Sequence, residues 1–220
     1  MTATHETEVA SPRRVASSAV LIGIVAVAAL IGIAIGLNVA YLAATTSANT
    51  MVTVPVRVTA DAPHPTGPEI VSGDPRWTAE VNGPLVHTGQ LMLTTGVDPD
   101  PLTAVLSRAG IWVSFLTAGG VVLVLIPVLR ATTAARPFAP GNARRLTIAA
   151  IAAAVGWALA ATLPVVAAQR AITGEMAGVP AEWYAPVFQP SWWPLGFAAF
   201  LAVLAAETAH GARLETEGLV

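Results

Sequence analysis

The chain has no cysteine and no lysine, and only 11% of its 220 residues are charged. The missing cysteine excludes a disulfide framework, thiolate metal sites and thiol nucleophiles. Charge well under the roughly 25% of a soluble domain excludes an ordinary solvated surface. A formal net charge of −2 leaves no basic footprint, so direct nucleic-acid contact is not expected. All basic residues are arginine, which with abundant alanine and valine reads as the coding bias of a GC-rich genome. The four histidines, His5, His64, His87 and His210, are not spaced as ligand pairs, and no metal or cofactor is expected. Phosphate-loop, dinucleotide-binding, Gly-x-Ser-x-Gly and His-Glu-x-x-His motifs are absent, and an enzyme is not expected.

What the chain has instead is long apolar runs. Ala19 to Ala44 carries no charge, and only Asn38 is strongly polar. It exceeds the roughly 20 residues needed to cross a bilayer as a helix, and it is longer than the roughly 7–15 residues of a signal-peptide core, so an uncleaved anchor is expected. Gly110 to Leu129, Leu146 to Ala168 and Trp192 to Ala206 follow, the first two bounded by arginines. The expected fold is all-α and transmembrane, a four-helix membrane bundle with a small β-rich extracytoplasmic loop domain.

The expected organisation is an N-terminal tail (1–18), spans at 19–44, 101–130, 146–168 and 192–209, and a C-terminal tail (210–220). The loops between them are 45–100, β-rich; 131–145, basic; and 169–191, aromatic. Arg13, Arg14, Arg130, Arg136, Arg144, Arg145 and Arg213 fall on the side of the termini. Arginine excess in short loops marks the cytoplasmic face, so both termini are expected in the cytoplasm of a multi-pass inner or plasma membrane protein. Trp183, Tyr184, Trp192 and Trp193 would then form an outer interfacial belt.

Within the long loop, Val54, Val56 and Val58 alternate, and Pro55 marks an edge strand because it has no N–H to give a ladder. Trp77, Ala79 and Val81 alternate into Asn82-Gly83, a hairpin signal, with 85–94 as the return strand. Asp100-Pro101 supplies an N-cap and first-turn residue for a helix running inward past Arg108.

Small residues line one stripe of the first span at Ala28, Gly32, Gly36 and Ala40, and of the third at Ala152, Gly156 and Ala160. They suit close helix packing within the chain, with self-association as the alternative. The span interiors hold no charge, which argues against a pump acting alone. Glu207 and His210 share a helix face but belong at the cytoplasmic interface. Asn38, Tyr41, Ser114 and Thr117 are the modest polar residues of the spans, the lining a channel subunit would use. Glu175 and Glu182 give the weakest alternative, an enzyme acting on lipid or cell-wall precursor.

The basic loop is the most specific patch. Pro140-Gly141 breaks the chain, Asn142 can cap the third span, and Arg144 and Arg145 gain about 1 kcal/mol each near anionic lipid. Arg136, Pro137, Phe138, Asn142, Arg144 and Arg145, with Gly211 and Leu214 in the tail, are the candidate partner or lipid contacts.

Pro137-Phe138, Asn142 and Arg144-Arg145-Leu146 resemble the Pro-Phe-x-x-x-Asn-x-x-Arg-Leu signature of a bacterial four-span family, domain of unknown function 2975, in keeping with an actinobacterial source. Gly211, Leu214 and the run from Glu217 to Val220 resemble its closing Gly-x-x-Leu pattern and its acidic, apolar end. The aromatic residue that commonly precedes that glycine is replaced here by Glu207-Thr208-Ala209-His210. The resemblance implies a small inner-membrane protein of unassigned activity with a cytoplasmic regulatory partner. The partners expected are therefore the lipid bilayer, such a regulatory protein, and a second copy of the chain. The leading function is a non-enzymatic interaction or regulatory protein; the alternative is a subunit of an oligomeric channel or transporter.

Overall fold

A computed structural model describes residues 12–45, 53–58, 77–80, 90–95, 100–139, 141–175, 184–188 and 190–218. The apolar runs become helices because hydrocarbon offers no hydrogen bonds, and a helix satisfies its backbone within one segment. In chain order the elements are α1 (Pro12–Thr45), β1 (Thr53–Val58), β2 (Trp77–Glu80), β3 (Gln90–Thr95), α2 (Pro101–Ser107), α3 (Ala109–Thr133), α4 (Asn142–Arg170), β4 (Tyr184–Pro186) and α5 (Trp193–Thr216). Among the described residues, four helices are long and apolar enough to cross a membrane: Ala19–Thr45, Ala109–Thr133, Asn142–Thr173 and Trp193–Thr216. The chain is a multi-pass helical membrane protein.

The spans do not close into a bundle. They stand in a row: α1 packs on α3, α3 on α4, and α4 on α5, with no comparably extensive contact joining α1 to α4 or α5, or α3 to α5. Apolar side chains cannot choose a neighbour in lipid, so close approach of backbones decides the seams. A Cβ at Gly36 of α1 would stand 3.0 Å from the Trp112 carbonyl oxygen, and one at Gly119 of α3 would stand 2.8 Å from that of Ala29. Gly156 of α4 lies directly beneath the Thr117 side chain. Across α3, α4 and α5 the interior is built from Val121, Leu146, Ala149, Ala150, Ala153, Ala198, Leu201 and Ala205.

Helix ends depart from the expected boundaries. The second helix is not continuous: Arg108, at φ −92° and ψ 5°, separates α2 from α3. Asp100 caps α2, accepting from the Leu102 N–H at 3.4 Å, with Pro101 in the first turn. The last helix runs on to Thr216, so Gly211 and Leu214 lie on α5 and not in a tail.

The strands pair in the order β2-β3-β1-β4, all antiparallel. A separate β-rich domain within 45–100 is not supported. The described residues there amount to three short strands, β4 comes from the other loop on that side, and β1 lies against α4. Val54 and Val56 are fully buried. The expectation that β1 is an edge strand is corrected, because β1 sits between β3 and β4. Pro55 is accommodated because β4 ends at Pro186 opposite Val56, leaving Pro55 paired only with Met92 of β3. The proposed Asn82-Gly83 turn lies outside the described residues, although β2 and β3 do pair, with Trp77 opposite Thr95.

Candidate functional site

The end of the row opposite the sheet holds the basic loop, built by three successive turns. Helix α3 ends on Ala135 in the left-handed region at φ 55°, with the Arg136 N–H donating to Ala131 O at 2.9 Å and the Ala135 N–H to Thr132 O at 3.0 Å. That is the Schellman closure, usually made with glycine at this position. The Ala139 N–H then donates to Arg136 O, and the Asn142 N–H to Ala139 O at 3.1 Å. Gly141, at φ 89° and ψ −10°, has the dihedrals of the third residue of a type II turn, a conformation that favours glycine.

Asn142 is not the cap of α4. Gly141 holds that position without a side-chain hydrogen bond, and Asn142 is the first helical residue. Its carboxamide turns back, Nδ2 donating to the Pro137 carbonyl at 3.1 Å, and the residue is completely buried. Its Oδ1 has no hydrogen-bond partner among the described residues. The Phe138 ring lies over Gly211 of α5, where any side chain would collide with it. Leu146, one turn into α4, enters the interior beside Leu201 and Ala205. Pro137, Phe138, Asn142, Gly211 and Leu146 thus fasten the loop to α5. Arg136, Arg144 and Arg145 remain exposed around it, and Leu214 is half-buried on α5. Exposed Arg130 and Arg213 add to the same end, as do exposed Glu207 and His210.

The small-residue stripes are placed unevenly. Gly32 and Gly36 face Phe115 and Trp112 of α3, whereas Ala28 is exposed and Ala40 half-buried. The α1 seam runs instead through Ile22, Ala29, Gly36 and Ala43. In α4, Gly156 meets Thr117, Ala152 packs against the interior, and the Ala160 carbonyl lies 3.6 Å from a Cβ built at Gly110. The close approach at Gly119 was not singled out from sequence, although an adjacent Gly119-Gly120 pair inside a span was the available signal.

A cavity of about 610 Å³ opens between α3, α4 and α5, walled by Phe115, Trp157, Trp193 and Phe197. Ser114, Thr117 and Ser191 are its hydroxyl-bearing residues, and the Ser114 hydroxyl donates to Gly110 O at 2.6 Å. Trp157 is fixed there, donating from Nε1 to Ser191 O at 2.8 Å, with its ring 5.5 Å from that of Trp192 and tilted to it. Trp192 and Trp193 are exposed, while Trp183 lies outside the described residues. Asn38 and Tyr41 are exposed on α1, away from this cavity, so the four polar residues of the spans do not converge.

At the sheet end Arg170 Nη2 meets Asp100 Oδ2 at 2.7 Å, and its Nε reaches Thr103 Oγ1 at 3.5 Å. The hydrogen bond from Arg170 holds the Asp100 carboxyl below its ordinary value. Among the described residues no three His, Asp or Glu side chains gather where they could hold a metal ion. His5, His64, His87 and Glu182 lie outside the described residues. Comparison with protein-family models, curated proteins and solved structures finds no match.

Proposed function

We propose that this chain is a non-enzymatic interaction protein of the inner or plasma membrane, with both termini cytoplasmic and the loop end docking a regulatory protein. The observation that carries the reading is the fastened loop. Membrane orientation needs only basic residues near the ends of spans. Here three exposed arginines are held on a frame of turns locked by a buried Asn142 and by Phe138 over Gly211. Arginines carried on a fixed backbone suit a carboxylate-bearing partner surface, because less backbone freedom is lost on docking. The likeness to the four-span family, whose motif residues include Phe138, Asn142, Arg144, Arg145 and Gly211, supports the same reading.

A photo-crosslinking residue at Ala143, used in intact cells, tests it. Capture of one acidic cytoplasmic protein, lost when Arg136, Arg144 and Arg145 are replaced by glutamine, is the expected result. Capture of lipid alone refutes the docking role. The alternative, a subunit of an oligomeric channel or transporter, has the cavity between α3, α4 and α5 in its favour. Flux through liposomes that changes on Ser114→Leu substitution would favour it.

A further inference from the structure

We propose that α1 pairs with α1 of a second copy of this chain, in parallel and in register, with the two Asn38 carboxamides bonded across the twofold axis. This inference stands apart from the loop-docking reading and uses the opposite side of the molecule from the cavity.

The first span carries two seams at once. Ile22, Ala29, Gly36 and Ala43 recur every seven residues, and all are buried, Ala29 and Gly36 against α3. Diametrically opposite run Ile24, Ile31 and Asn38, also seven apart, interleaved with Val20, Val27, Ala34 and Tyr41 at steps of three and four. That alternation is the heptad of a left-handed helix pair, with isoleucine and asparagine at one core position and valine, alanine and tyrosine at the other. All of these residues are exposed among the described residues. Val20, Ile24, Val27, Ile31 and Tyr41 are between 55% and 64% exposed. A shallow groove of about 510 Å³ lies along them, lined by Val20, Gly23, Ile24, Val27, Ala28 and Ile31. Nothing lies within 4 Å of where a Cβ at Gly23 would stand, so the groove has an open hole for a facing side chain.

Asn38 decides the occupant. It is exposed, and its carboxamide makes no hydrogen bond among the described residues. Its place is about 10 Å from the Thr45 end of the span, at 1.5 Å per residue, and so inside a hydrocarbon core about 30 Å thick. Acyl chains could cover the isoleucines and valines, but they give a carboxamide neither donor nor acceptor. A second Asn38 gives both, because one amide N–H₂ meets the other amide oxygen. Two copies inserted with the same topology present α1 in parallel, so each residue of the seam meets its own number. A single polar residue at such a core position sets register and the number of strands.

The test labels the full-length protein with donor and acceptor dyes and follows energy transfer in liposomes as the lipid-to-protein ratio is raised. Wild-type chains are expected to associate. Asn38→Leu, which leaves the α3-facing side untouched, should weaken association roughly 3- to 20-fold, the span of measured interhelical hydrogen bonds in membranes. Asn38→Gln, which retains both donor and acceptor, should recover much of it. In a parallel arm, single cysteines at Ile24 and Ile31 should form dimers under copper–phenanthroline, and one at Ala29 should not. Unchanged association on Asn38→Leu, equal crosslinking at Ala29, or a wild-type chain that is monomeric at every dilution would overturn the proposal.

Discussion

Adding one methyl group to Gly211 should open the basic loop, and the size of the effect can be worked from the ring above it. Phe138 Cδ1 and Cζ lie 2.6 and 2.8 Å from where a Cβ at residue 211 would stand. Favourable carbon–carbon contact is at roughly 3.5–4.0 Å, so the ring must withdraw by about 1 Å. Truncating a fully buried phenylalanine costs about 3–5 kcal/mol, and Phe138 is half-buried. About 2 kcal/mol is therefore at stake in the closed loop, or roughly 25-fold in its opening equilibrium. The cysteine-free chain allows this to be read directly, from the thiol-labelling rate of Ala139→Cys in membranes. Where closing outruns labelling, that rate follows the open population. Gly211→Ala should raise the rate by about 10-fold and Phe138→Ala by about 25-fold. The two together should do no more than Phe138→Ala alone, since the collision vanishes with the ring. If the effects multiply, to roughly 250-fold, Phe138 does not rest on Gly211 and the loop is not fastened there.

Three further outcomes follow from the same geometry. Gly156→Ala should wedge α3 from α4 against Thr117 and destabilise the protein by about 1–3 kcal/mol, with partial rescue by Thr117→Ala; thermal unfolding in detergent checks both. Asn142→Ala should cost about 1–3 kcal/mol by removing the donor to Pro137 O. Asn142→Asp should cost more, because it buries a carboxylate that has lost that donor; a reversed order would remove Asn142 from its assigned role. Asp100→Asn should cost at most about 1 kcal/mol at pH 7, since the pair with Arg170 is exposed. A carboxyl whose folded pKa is lowered contributes stability above its unfolded value and loses it as pH falls through the folded one. The difference between Asp100→Asn and wild type should therefore shrink as pH falls below the ordinary aspartate value of about 3.9 and be insensitive to pH between about 5 and 7, as melting curves would show.

The four spans were legible because each is an uncharged run bounded by arginine or an aromatic pair, and length alone then fixes a helix. Their arrangement was not. In α1 every face is apolar, so nothing in the pattern says that Ile22 and Ala29 turn inward while Ile24 and Ile31 turn out. The close approach of Gly36 to Trp112 depends on tertiary placement that the stripe at Ala28, Gly32, Gly36 and Ala40 only half describes. In the loop, Phe138, Asn142 and Gly211 were picked out as a patch, yet as contacts for partners. Their use as fasteners stayed hidden because Gly211 belongs to a distant helix, and a ring-on-glycine contact leaves no local periodicity. The break at Arg108 was missed for a different reason: helix-compatible residues flank it on both sides.

The row of helices has a consequence for how the molecule comes to be assembled. Each span touches chiefly the span before and after it along the chain, so neighbours in sequence are neighbours in space. The α3–α4 seam closes only a short loop and forms quickly, whereas the α1–α3 seam, with Gly36 against Trp112, must close the long loop that carries β1 to β3. Stability then becomes close to a sum over successive pairs, as in stacked-repeat proteins. A nascent chain can therefore set α3 on α1, and α4 on α3, as each leaves the insertion machinery, with no early helix waiting for a late one. Loss of α5 would strip one flank of α4 and leave the first two seams intact.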